Sequence, residues 1–78
     1  MTRVEEFDTF YNSTRRHMLH LTYALCGDRN TAAATVAEAY RHAWQQWPKL
    51  RGRDSLAYLR NEAWRLSVFE RGKHPWRR

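Results

Sequence analysis

Residues 28–48 read DRNTAAATVAEAYRHAWQQWP, and this stretch decides the fold class. Ala32, Ala33, Ala34, Ala37 and Ala39 favour helix strongly, since alanine loses no side-chain entropy there. Val36, Tyr40, Ala43, Trp44 and Trp47 recur at helical spacing and form one apolar stripe. Asp28 or Asn30 can cap the start. Pro48 is expected to close the helix, because the residue before a proline is pushed out of helical geometry.

The same reading extends in both directions. Upstream, Phe7, Phe10, Tyr11, Thr14, Met18, Leu21 and Leu25 follow steps of three and four over a helix spanning residues 2–26. Thr2 with Glu5 has capping-box spacing, and Gly27 is a natural left-handed stop. Downstream, Pro48, Lys49, Leu50, Arg51, Gly52 and Arg53 read as a basic loop. Asp54 or Ser55 can cap a further helix whose inner face is Leu56, Leu59, Ala63 and Leu66, and Gly72 ends it. No run alternates polar and β-branched residues as a strand would. The expected architecture is all-α: a compact bundle of three or four helices in one domain, residues 1–72, followed by a basic tail, residues 73–78.

Charge divides the 78-residue chain sharply. Residues 1–48 hold five basic and five acidic side chains, whereas residues 49–78 hold nine Lys/Arg against three acids, the whole +6 excess. Tyr58, Trp64, Phe69 and Trp76 are interleaved with those cations. Cations neutralise phosphates and flat rings stack on exposed bases, so the favoured partner is nucleic acid. An anionic membrane surface or an acidic protein is the runner-up. A single cysteine, Cys26, forbids an internal disulfide and fits a reducing compartment. No apolar run reaches membrane-spanning length, so the expectation is a soluble, cytoplasmic protein with no membrane partner.

Catalytic chemistry has little to stand on. His17 and His20 share a side of the first helix, but two ligands do not make a metal site. Cys26 lies at a helix C-terminus, where the dipole disfavours a thiolate. There is no phosphate loop and no nucleophile motif, so no enzyme, no cofactor and no small-molecule substrate are expected. Tyr40, Trp44 and Trp47 read as core. Tyr58 and Trp64 fall away from the Leu56, Leu59, Ala63 and Leu66 stripe, and either cover the bundle's edge or face a ligand.

Four blocks in one register carry a resemblance. They are Phe7, Phe10 and Tyr11; then Leu21 to Asp28, LTYALCGD; then Ala39, Tyr40, Ala43, Trp44, Trp47 and Leu50; then Leu56 to Arg60, LAYLR. Together they resemble region 2 of the extracytoplasmic-function sigma factors of bacterial RNA polymerase, most closely the actinobacterial branch. The resemblance implies a helical domain whose second helix docks on the β′ clamp helices of core RNA polymerase. Its last helix and the preceding loop would recognise the −10 promoter element, holding a base flipped from the melting non-template strand. Carried over by position, the polymerase-facing side chains are Glu38, Arg41, His42 and Gln45. The promoter-facing ones are Lys49, Leu50, Arg51 and Arg53 in the loop, and Tyr58, Arg60, Asn61, Trp64, Arg65 and Arg71 on the helix. The chain departs from the family's pattern where two acids and a Gln would stand, at Ala33, Ala34 and Ala37, and again at Glu62 and Arg65. Two rival readings stay open: a degenerate sigma-like module that binds a regulator such as an anti-sigma factor, and an unrelated helix-turn-helix binder of duplex DNA.

Overall fold

The computed structural model of the chain describes the backbone of residues 2–50 and 54–72, and the side chains of 2–50 and 54–68. Among these residues the chain forms four helices and no strand: α1 (Arg3–Cys26), α2 (Arg29–Gln45), α3 (Trp47–Leu50) and α4 (Ser55–Gly72). The three long helices pack on one another pairwise, and α3 is a single turn appended to α2. The fold is a small all-α bundle.

Local chemistry sets the helix ends. The Glu5 N–H donates to Thr2 Oγ1 at 3.1 Å, and the Thr2 N–H donates back to Glu5 Oε1 at 3.0 Å, a complete capping box. At the other end Gly27 adopts φ 75°, and its N–H donates to the Tyr23 carbonyl at 2.7 Å. That left-handed conformation strains any residue carrying a Cβ, which is why glycine stands there. Asp28, rather than Asn30, caps α2, with Oδ2 accepting from the Thr31 N–H at 2.7 Å. Thr31 holds the Asp28 carboxyl below the usual carboxylate range, through its side-chain and backbone hydrogen bonds. Asp54 begins α4, its carbonyl accepting from the Tyr58 N–H at 3.2 Å.

Pro48 behaves differently from expectation. The second helix stops at Gln45, and Pro48 sits inside the new turn α3 rather than opening a loop. Proline is tolerated in a first helical turn because its missing N–H would have had no partner there. Trp47, placed on the α2 stripe by spacing, is therefore buried from α3. Residues 51–53, the remainder of the expected basic loop, and the tail of residues 73–78 lie outside the described residues.

The core is built from a few large side chains between small ones. Met18 and Leu59 are fully buried, as are Ala39, Ala43 and Ala63. Burial of each large side chain contributes about 1.5–3 kcal/mol, and the alanines let helix backbones approach. Leu56 and Leu66 pack against this centre as expected, and Leu50 joins them from α3. At the far end Phe7 meets Trp44 and Trp47 edge-on, with ring centroids 5.2 and 5.1 Å apart, and Phe10 lies 5.2 Å from Trp47. The Arg3 guanidinium covers Trp44 from outside. Tyr40, Trp44 and Trp47 thus belong to the packed interior. Tyr11, expected on the inner stripe, is exposed beside it, with its ring against Tyr40.

Candidate nucleic-acid interface

Helix α4 has two faces. Leu59, Ala63 and Ser67 point inward and are buried. Arg60, Asn61, Trp64, Arg65 and Val68 are exposed, and at 100° per residue they share the opposite arc. Trp64 shows 57% of its surface. An indole ring between two guanidinium groups on a rigid helix can stack on an unpaired base while the cations meet phosphates. The Ser67 hydroxyl donates to the Ala63 carbonyl at 2.8 Å and lies 3.5 Å from Cys26 Sγ, tying α4 to the end of α1. Cys26 is half-buried there.

By the same periodicity Tyr58 falls at the edge of that arc, beside Arg65. It packs against the core cluster from the edge of the bundle, and desolvation pushes its phenol pKa up. Leu50 is likewise half-buried against the core. Lys49 is exposed on α3. The Ser55 hydroxyl donates to the Leu50 carbonyl at 3.1 Å, so α3 ends beside the start of α4. Arg71 lies within α4, but its side chain, like Arg51 and Arg53, is outside the described residues.

Three of the side chains expected to face a polymerase, Glu38, Arg41 and His42, join a chain of polar contacts that spacing did not foretell. His42 donates to Glu62 Oε1 on α4 through Nδ1 at 3.0 Å, and its Nε2 lies 3.1 Å from Glu38 Oε2. Arg41 also clasps Glu38, and Arg65 reaches Glu62 at 2.6 Å. The sequence Arg41–Glu38–His42–Glu62–Arg65 thus laces α2 to α4. His42, expected to project outward, is only 25% exposed because it spans this seam, and Glu62 is 13% exposed. Burial pulls the Glu62 carboxyl up, but hydrogen bonds from His42 and Arg65 outweigh it, so its pKa lies below the ordinary glutamate value. Glu38 is lowered too, chiefly by the hydrogen bond from Arg41. Arg41 and Gln45 are exposed.

Glu62 is a structural residue that helical spacing alone does not reveal. The signal lay in its position: Glu62 falls one residue before Ala63, on the flank of the inner stripe, where a helical neighbour can reach it. Ala33, Ala34 and Ala37 are all exposed, so the side chains absent there are absent from the surface. His17 and His20 are exposed, and no three His, Cys, Asp or Glu side chains among the described residues gather as metal ligands. No described helix is long and apolar enough to cross a membrane. No protein-family model, no curated protein and no solved structure matches this chain.

Proposed function

We propose that this chain is a transcription-initiation domain of sigma region 2 type, which binds −10-type promoter DNA as a melted single strand and works with core RNA polymerase. The observation that carries the reading is the outer arc of α4, where Arg60, Asn61, Trp64 and Arg65 are exposed together, backed by the buried Leu59 and Ala63. Lys49 on α3 adds a cation beside the start of that helix. Trp64 stacks on a base, Arg60 and Arg65 meet phosphates, and Asn61 supplies the amide that can read a base edge. Extruding a base costs a few kcal/mol, which stacking and phosphate contacts offset.

A fluorescence anisotropy titration with a −10-element single strand at low salt tests this. Salt-sensitive binding that weakens when the strand is scrambled is the expected result. Equal affinity for every scramble, or preference for duplex, overturns it.

A second reading is favoured by one observation. Ala33, Ala34 and Ala37 leave the exposed side of α2 without the acids and amide that the resemblance places there, and His42 is engaged within the bundle. Charge-assisted hydrogen bonds are the stronger kind, so losing several weakens docking. On this reading the chain is a regulator-binding module that has lost polymerase. A pull-down with core RNA polymerase separates the two: capture supports the first, and its absence alongside retained DNA binding supports the second.

A further inference from the structure

An open groove of about 1060 Å³ runs between α1 and α2, and among the described residues none of α4 lines it. Its cationic walls are Arg15 and Arg16 from α1 and Arg29 from the first turn of α2, and its floor includes Leu19, Ala32 and Ala33. Among the described residues no acid lines it, and none of these three arginines takes part in an ion pair. Residues 1–48 balance to zero along the sequence, yet the bundle separates the charges. Glu5, Glu6 and Asp8 cluster at the start of α1, Asp28 is used as a cap, and Glu38 is held by Arg41. Of the remaining cations Arg3 lies over Trp44, and Arg15, Arg16 and Arg29 face the groove. Arg15 is steadied by the Tyr11 ring, 5.7 Å below its guanidinium.

We propose that this groove binds an acidic peptide segment of a partner protein. Its carboxylates are held by Arg15, Arg16 and Arg29, and its apolar side chains lie on Leu19, Ala32 and Ala33. Guanidinium forks match carboxylates and phosphates bidentately, so three arginines without an ion-pair partner among the described residues favour a ligand with anionic groups on both edges of the trough. Nucleic-acid bases stack on aromatic rings, and the lining holds Tyr23 beside the aliphatic Leu19, Ala32 and Ala33, so the aliphatic part of the floor favours a peptide's apolar side chains. The small side chains of Ala32 and Ala33 let a partner backbone come close. The groove is a different face from the outer arc of α4, so the proposal stands apart from the DNA reading. It names the chemistry of the partner that the regulator-binding reading leaves open.

The test uses the full chain and a fluorescein-labelled amphipathic peptide of Glu, Leu and Ala, with its Gln-for-Glu counterpart and labelled oligothymidylate as comparisons. The Glu peptide is expected to bind more tightly than the Gln peptide. Arg15→Ala/Arg16→Ala/Arg29→Ala is expected to lose about tenfold or more in affinity, since each charge-assisted bond is substantial. Trp64→Ala/Arg65→Ala is expected to leave peptide binding unchanged. Ala33→Glu, at an exposed position, is an independent check that should repel the peptide while the helical circular dichroism stays that of the parent. The proposal is overturned if the triple variant binds the Glu peptide as well as the parent does. It is equally overturned if the Glu peptide does not bind at all, or if oligothymidylate displaces it and loses as much affinity in the triple variant.

Discussion

Thr22 is completely buried in α1, and its hydroxyl has no hydrogen-bond partner among the described residues. A buried polar group left unpaired costs about 1–3 kcal/mol. Thr22→Val keeps the shape and removes the hydroxyl, so it is expected to raise stability by roughly 1 kcal/mol, read as a higher urea midpoint with unchanged slope. Gly27 gives the opposite case. A Cβ there meets nothing within 4 Å, so space is not the constraint, but φ is 75°. Gly27→Ala is expected to destabilise by about 1–2 kcal/mol from backbone strain alone, measured by thermal unfolding. The capping box at Thr2 and the stop at Gly27 were legible because both depend on residues within four positions of each other. The orphan hydroxyl of Thr22 was not, because its environment comes from other helices.

At the scale of elements, the contact between α2 and α4 carries the clearest consequence. The Glu62 carboxyl is lowered in the folded state, so between its native value and the unfolded glutamate value, about 4.3, the unfolded chain binds more protons. Stability therefore rises with pH through that window and is lost as pH falls through the native value. The same sign holds for Glu38 and Asp28. Glu62→Gln removes one titrating group and is expected to flatten the acid limb of a plot of urea midpoint against pH. A persistent slope of the parent's size would show that the seam does not act through Glu62. Ala39 marks the same contact from the packing side, being fully buried in the core cluster. Ala39→Leu is expected to cost about 1–3 kcal/mol by overpacking. Spacing placed Ala39 among the helix formers. That it is a core residue while Ala33, Ala34 and Ala37 are exposed follows from which side of α2 its neighbours occupy.

For the whole molecule, the arrangement of charge matters more than its sum. The outer arc of α4 and the α1–α2 groove are separate cationic surfaces on one bundle. Trp64→Ala/Arg65→Ala is expected to weaken single-strand binding by about 1–3 kcal/mol per lost stack, with the parent's circular dichroism and only a small drop in unfolding midpoint from loss of the exposed Arg65–Glu62 pair. The exposure of Trp64 is what makes this separable from folding. Unfolding of the pair would instead place Trp64 among the supports of the bundle. Release of counterions should make log affinity fall linearly with log salt, at a slope of about −0.7 per neutralised phosphate on a single strand.

The sequence by itself determined that the chain is helical, where most helices begin and end, and, Tyr11 apart, which apolar residues line their inner faces. Those properties are written in periodicities of three and four and in caps that bond within one turn. Tertiary structure decided the rest. It decided that Pro48 opens a turn instead of ending one, and that Tyr58 and Leu50 support the core while Trp64 is free. It drew His42 and Glu62 together from residues twenty positions apart, and gathered Arg15, Arg16 and Arg29 around a trough in a segment with no net charge. The physical reason is common to all of these. Periodicity gives each side chain a direction about its own helix axis, but exposure, pairing and local field depend on which other helix lies in that direction.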